Sequence, residues 1–110
     1  MNYDYLVSTI RVTVPSFKES KADSSAVYFQ VELEFHENKW SVEKRFSEFD
    51  ELFKALKNSF ATTPILPNKS FIFKMTEKEL DQRRAGLEDF LQKIVVRSDL
   101  MNSDAVKGFL

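Results

Sequence analysis

Hydrophobic and polar residues alternate from Leu6 to Val14, with Ile10, Val12 and Val14 on one side and Thr9, Arg11 and Thr13 on the other. A period of two predicts a half-buried strand, which Pro15 should end. Ser16 to Ser25, with four Ser among Lys, Glu and Asp, reads as a loop. The next run alternates most cleanly: Val27, Phe29, Val31, Leu33 and Phe35 face one way, and Tyr28, Gln30, Glu32, Glu34 and His36 the other. Glu37-Asn38-Lys39 supplies a short turn, and Trp40 and Val42 begin a third strand ending near Arg45. Three strands with short connections predict an antiparallel meander with one wet face.

The period then changes to 3.6. Phe49, Leu52, Phe53, Leu56 and Phe60 form a helical stripe, and Ser47 with Asp50 is placed to form a capping box at its start. A connector from Asn58 to Lys69 carries Pro64 and Pro67. Thr76 with Glu79 forms a second capping box, opening a helix that carries Leu80, Leu87, Phe90, Leu91, Ile94 and Val95. Gly86 inside it costs up to about 1 kcal/mol relative to Ala, which suggests close packing at that point. Ser103 is a candidate cap for a short last helix. Strands first and helices after predict an α+β fold: a three-stranded antiparallel meander against a helical subdomain of three or more helices.

Composition narrows the function. With 110 residues, 43% of them hydrophobic and 11 of them Phe, the chain can build a core as one domain spanning 1–110. Its end on Gly108-Phe109-Leu110, two of them large and apolar, predicts a domain excised from a longer protein. No apolar run approaches the roughly 20 residues of a spanning helix. Sixteen basic and 17 acidic residues leave a net charge of -1. That balance counts against nucleic acid as a partner and against a simple polybasic tether to acidic lipid, both of which need a basic excess. Any anion must be held by a few placed cations.

Catalysis has little to work with. There is no Cys, and the one His, His36, ends a strand on its polar side. No metal site, cofactor loop or nucleophile motif is expected, since two glycines cannot make phosphate-cradling loops. The chain reads as a non-enzyme.

Three local features stand out. The first is Arg45-Phe46-Ser47-Glu48-Phe49, where a strand runs into a helix and a phosphate-gripping guanidinium stands beside an aromatic ring. The second is Pro64-Ile65-Leu66-Pro67-Asn68-Lys69, whose prolines favour a stiff segment presenting Lys69. Alternatively it is a plain linker, or a linear ligand if Pro64 and Pro67 are exposed. The third is Arg83-Arg84-Ala85-Gly86-Leu87-Glu88-Asp89-Phe90-Leu91, with Arg83 and Arg84 on opposite edges of the apolar stripe and either able to reach into a groove.

In this order, with these intervening elements, the three features resemble the phox-homology (PX) domain family over essentially the whole chain. The resemblance implies a three-stranded meander on a helical subdomain that binds membrane phosphoinositides, most typically phosphatidylinositol 3-phosphate. Matched motif to motif, it implies that Arg45 holds the 3-phosphate and Phe46, in place of the commoner Tyr, packs against the inositol ring. Lys69 would then meet the 1-phosphate and Arg83 the ring hydroxyls. Ser47 stands where some members carry a second basic residue, and Thr63 where a large aliphatic usually precedes the prolines.

The resemblance also makes Ser70 to Met75 a loop that dips into the bilayer through Phe71, Ile72, Phe73 and Met75, at least one of the aromatics folding back into the core. Lys74 is placed to meet anionic head groups there. It implies a cytoplasmic module, peripheral on endosomal-type membranes, with protein partners reached through the parent chain. The competing reading is a protein-interaction module that binds lipid weakly or not at all. Residues 69–84 carry five basic and three acidic residues, a local +2 within a chain of net -1.

Overall fold

The computed structural model describes residues 10–20, 26–67 and 75–110. Three strands come first, β1 (Arg11–Glu19), β2 (Val27–Phe35) and β3 (Asn38–Arg45), in an antiparallel sheet of order β1-β2-β3. Four helices follow among the described residues: α1 (Phe46–Ser59), α2 (Glu77–Val95), α3 (Ser98–Met101) and α4 (Asp104–Phe109). This is the predicted α+β meander with its helical subdomain. Only α3, four residues long, leaves no periodic trace in the sequence.

β1 does not end at Pro15. It runs on to Glu19, through what the polar composition reads as loop, because the ladder absorbs the proline in a bulge. Thr13 pairs with Glu32 and Ser16 with Gln30, so Val14 and Pro15 together stand opposite Val31. A proline lacks the ladder donor and is tolerated at such a bulge on an edge strand.

The backbone groups freed by the bulge go to α2. Val14 N–H donates to Glu88 Oε2 at 2.8 Å, and Val14 carbonyl accepts from Arg84 Nη1 at 2.7 Å. Gln92 Nε2 donates to Val12 carbonyl at 3.2 Å. Arg84, Glu88 and Gln92 are four residues apart, so they form one polar stripe that closes the β1 edge. The β2–β3 hairpin pairs Phe35 with Asn38 across a two-residue turn, where exposed His36 takes a left-handed φ of 56°.

α1 begins two residues earlier than the Ser47–Asp50 box predicts. Arg45 is its N-cap, with its N–H donating to Glu48 Oε1 at 3.0 Å, and Asp50 instead pairs with Lys54 at 3.0 Å. The second predicted box is present: Thr76 N–H donates to Glu79 Oε1 at 2.8 Å and Glu79 N–H to Thr76 Oγ1 at 3.2 Å. Ser103 caps α4 through Val106 N–H at 3.3 Å.

The core joins the sheet's inner face to both long helices. Val12, Val14, Phe29, Val31 and Leu33 meet Phe49, Leu52 and Leu56 of α1 and the six predicted apolar residues of α2, all buried. A file of rings runs through it. Phe17 lies 6.2 Å from Phe29, Phe29 6.3 Å from Phe49, and Phe49 5.0 Å from Phe109, the last two edge to face.

Between α1 and α2 the segment Thr62 to Pro67 forms a strap held at both ends. Arg97 Nη1 donates to Thr62 carbonyl at 2.9 Å, and Arg97 is itself fixed by Asp99 at 2.6 Å. At the other end the Pro67 ring fills the space beside Gly86, where an added Cβ would come within 2.6 Å of Pro67 Cγ. The close packing expected of Gly86 is therefore against the proline motif. Pro64 is buried and Pro67 half-buried, so the linear-ligand reading, which required both exposed, fails.

Candidate functional site

The site forms where β3 passes into α1. Arg45 is the last residue of β3, with φ -83° and ψ 159°, and is exposed. The register sets it opposite Tyr28, itself opposite Lys18. Lys18 and Lys44 on the sheet are neutralised by Glu43 at 2.9 Å and Glu48 at 3.6 Å, and Arg84 on α2 by Asp81 at 2.7 Å. The Arg45 guanidinium has no hydrogen bond or ion pair among the described residues. It stands beside the first turn of a 14-residue helix, where backbone N–H groups and the helix dipole favour an anion.

Phe46 is the first residue of α1 and half-buried, one part of its ring against the core. The Arg83 guanidinium carbon lies 3.9 Å from that ring's centroid, a close cation–π contact. Burial pushes Arg83 below the usual arginine range, yet a guanidinium stays charged. Phe46 thus touches a residue 37 positions on, and the strand-end motif and the α2 motif become one place.

The two arginines of α2 divide the work. Arg84 is taken up by Val14 carbonyl and Asp81, while Arg83 lies over Phe46. Gly86 is one turn beyond Arg83, so the docked Pro67 brings the proline motif to the same end of α2. Arg45, Phe46 and Arg83 are therefore within the described structure. Lys69, Phe71, Ile72 and Phe73 lie outside the described residues, and Met75, which is described, is half-buried against the core. Ser47 is exposed and uncharged.

Three residues around the site escape a reading of motifs alone. Arg97 anchors the strap, Glu88 holds the β1 bulge, and Tyr28 stands across from Arg45. The four-residue spacing of Arg84, Glu88 and Gln92 was a legible signal; the register of Tyr28 was not. Among the described residues no acidic or His cluster could hold a metal ion, and no helix is long and apolar enough to cross a membrane.

The fold has counterparts among known proteins. The PX domain family model matches residues 32–110. Sorting nexin-24 of Homo sapiens is 37% identical over 92 residues, covering 82% of this chain and 53% of that protein. The serine/threonine-protein kinase Sgk3 of Mus musculus is 31% identical over 110 residues, covering 97% of this chain and 22% of that protein. The chain thus spans about half the length of the one relative and about a fifth of the other. Among solved structures, a designed CISK-PX domain superposes with a TM-score of 0.82 at 31% identity, covering 91% of this chain and 97% of that one. The mouse SNX19 PX domain with bound sulphate ion gives 0.66 at 20% identity, covering 92% and 95%, which shows the shared fold. On the strength of the family match and the 37% identity to a sorting nexin, the chain belongs to the PX domain family of non-catalytic phosphoinositide-binding modules.

Proposed function

We propose that this PX domain binds phosphatidylinositol 3-phosphate and draws its parent chain to endosomal-type membranes from the cytoplasmic side. The observation that carries this reading is the contact of Arg83 with Phe46, the chain neighbour of Arg45, across two distant segments, with the proline motif docked one turn along α2. Arg45 grips the 3-phosphate, whose near-double charge rewards a fixed guanidinium fork. Phe46 packs against the inositol ring, and Arg83 donates to the ring hydroxyls. Lys69, two residues past the docked Pro67, takes the 1-phosphate.

Phe71, Ile72 and Phe73 insert beside the head group, joined by whatever surface of Met75 the core leaves uncovered. Each Å² of apolar surface so buried contributes about 25 cal/mol, which slows release.

The test is binding to liposomes carrying each phosphoinositide isomer at equal mole fraction. Preference for the 3-phosphate, lost in Arg45→Ala and Arg83→Ala with the fold intact, is the expected result. Equal binding to all isomers would sink the stereospecific pocket and favour a protein-interaction module.

A further inference from the structure

The two edges of the sheet are treated differently. β1 has its bulge sealed by the side chains of α2, whereas β3 has no such cover. Among the described residues the backbone of β3 bonds only to β2 until Arg45, whose N–H goes to Glu48, although the Trp40 side chain donates its Nε1–H to Leu110 carbonyl at 3.1 Å. The two-residue hairpin makes Phe35 and Asn38 a hydrogen-bonded pair. Alternation then turns the backbone groups of Asn38, Trp40, Val42 and Lys44 toward β2 and those of Lys39, Ser41 and Glu43 outward. An edge with free outward groups is a template for another strand.

The side chains of β3 say which strand. Laid antiparallel on a copy of itself about Ser41, the strand sets Lys39 opposite Glu43 of the copy, and Glu43 opposite its Lys39. On the other face Trp40 meets Val42. Trp40 is 40% exposed, a large apolar ring on a strand that the core only partly covers. Moving the centre one or two residues in either direction fails. A centre at Trp40 or Val42 would need backbone groups already spent on β2, and a centre at Lys39 or Glu43 sets that residue against its own copy, like charge on like charge. The ladder and the pattern of signs together select one register.

We propose that β3 is the interface of a symmetric dimer of this chain, two three-stranded sheets joining into one of six strands about a two-fold axis at Ser41. The ladder stops at Asn38 and Lys44, because Arg45 N–H is already taken. Arg45 is thus left to the head group. Glu43 pairs with Lys18 in its own chain, but at 43% side-chain exposure it has room for a second cation. Seven residues of edge pairing make a small interface, so association is weak and depends on concentration.

Sedimentation equilibrium of the chain over a wide concentration range tests this, with a reversible monomer–dimer exchange expected. Ser41→Pro removes an outward N–H without touching the β2 ladder, so it should abolish the dimer while circular dichroism and the thermal midpoint hold. Lys39→Glu and Glu43→Lys, each alone, should raise the dissociation constant about tenfold, and the double reversal should restore it. The charge reversals decide alone should the proline variant fail to fold. A chain that stays monomeric at every concentration overturns the proposal. So does a dimer indifferent to these changes, which would place the contact elsewhere.

Discussion

Arg83 and Arg84 are adjacent, identical in chemistry and opposite in task. One lies 3.9 Å over the Phe46 ring and the other donates to Val14 carbonyl at 2.7 Å. Arg84→Ala should therefore lower stability, leaving a part-buried carbonyl without its partner at about 1–3 kcal/mol, with little effect on isomer preference once the chain is folded. Arg83→Ala should do the reverse. Urea denaturation set beside liposome binding separates the two. Gly86→Ala is expected to gain up to about 1 kcal/mol of helix propensity while forcing its Cβ against Pro67 Cγ. The strap must move, so liposome affinity should fall without a matching loss of thermal stability. The arginine motif was legible in the sequence as a pair. Periodicity alone did not say which member to expect at the site, because both edges of a helical stripe look alike until a partner strand is known; the family resemblance named Arg83.

Among the elements, the strands and long helices could be read from their periods, since an alternating run such as Val27 to Phe35 has one solution on a half-covered sheet. Pro15 misled because a bulge is a tertiary device: it works only where α2 supplies Glu88 and Arg84 to the groups it frees. Glu88→Ala should cost about 1–3 kcal/mol by stranding Val14 N–H, and Glu88→Gln, which keeps an acceptor oxygen, should recover most of it in chemical denaturation. Of the two expected capping boxes, Thr76–Glu79 is built by neighbours and was legible, whereas at α1 the chain direction out of β3 moved the start to Phe46.

The hydrogen bond from Thr76 N–H holds the Glu79 carboxyl below its ordinary value of 4.5. A lowered carboxyl stabilises the fold fully above that ordinary value and loses its effect as pH falls through the lower folded one. Glu79→Gln, which removes the charge but keeps an acceptor oxygen, should be less stable than the parent at neutral pH, and the gap should close on acidification, as read by denaturation midpoints across pH.

For the molecule as a whole, net charge -1 is compatible with the proposed site of placed cations, because Lys18, Lys44, Lys54 and Lys93 are each met by a carboxylate within 3.6 Å. Distant charges are largely screened beyond about 8 Å at physiological salt. Liposome binding should therefore fall only modestly between low and moderate salt while depending strongly on which ring position carries the phosphate. A steep salt slope with little isomer dependence would point to diffuse adsorption instead.

The strap carries a constraint of its own. From Gly86 to Arg97 the helical path covers about 16 Å, at 1.5 Å per residue. The five steps from Thr62 to Pro67 can reach at most about 18 Å. A segment tied at both ends works as a ruler: losing or gaining one residue should shift Pro67 off Gly86 or Thr62 off Arg97. Though it contains neither helix nor strand, this is the stretch of the chain where a change of length should be tolerated least.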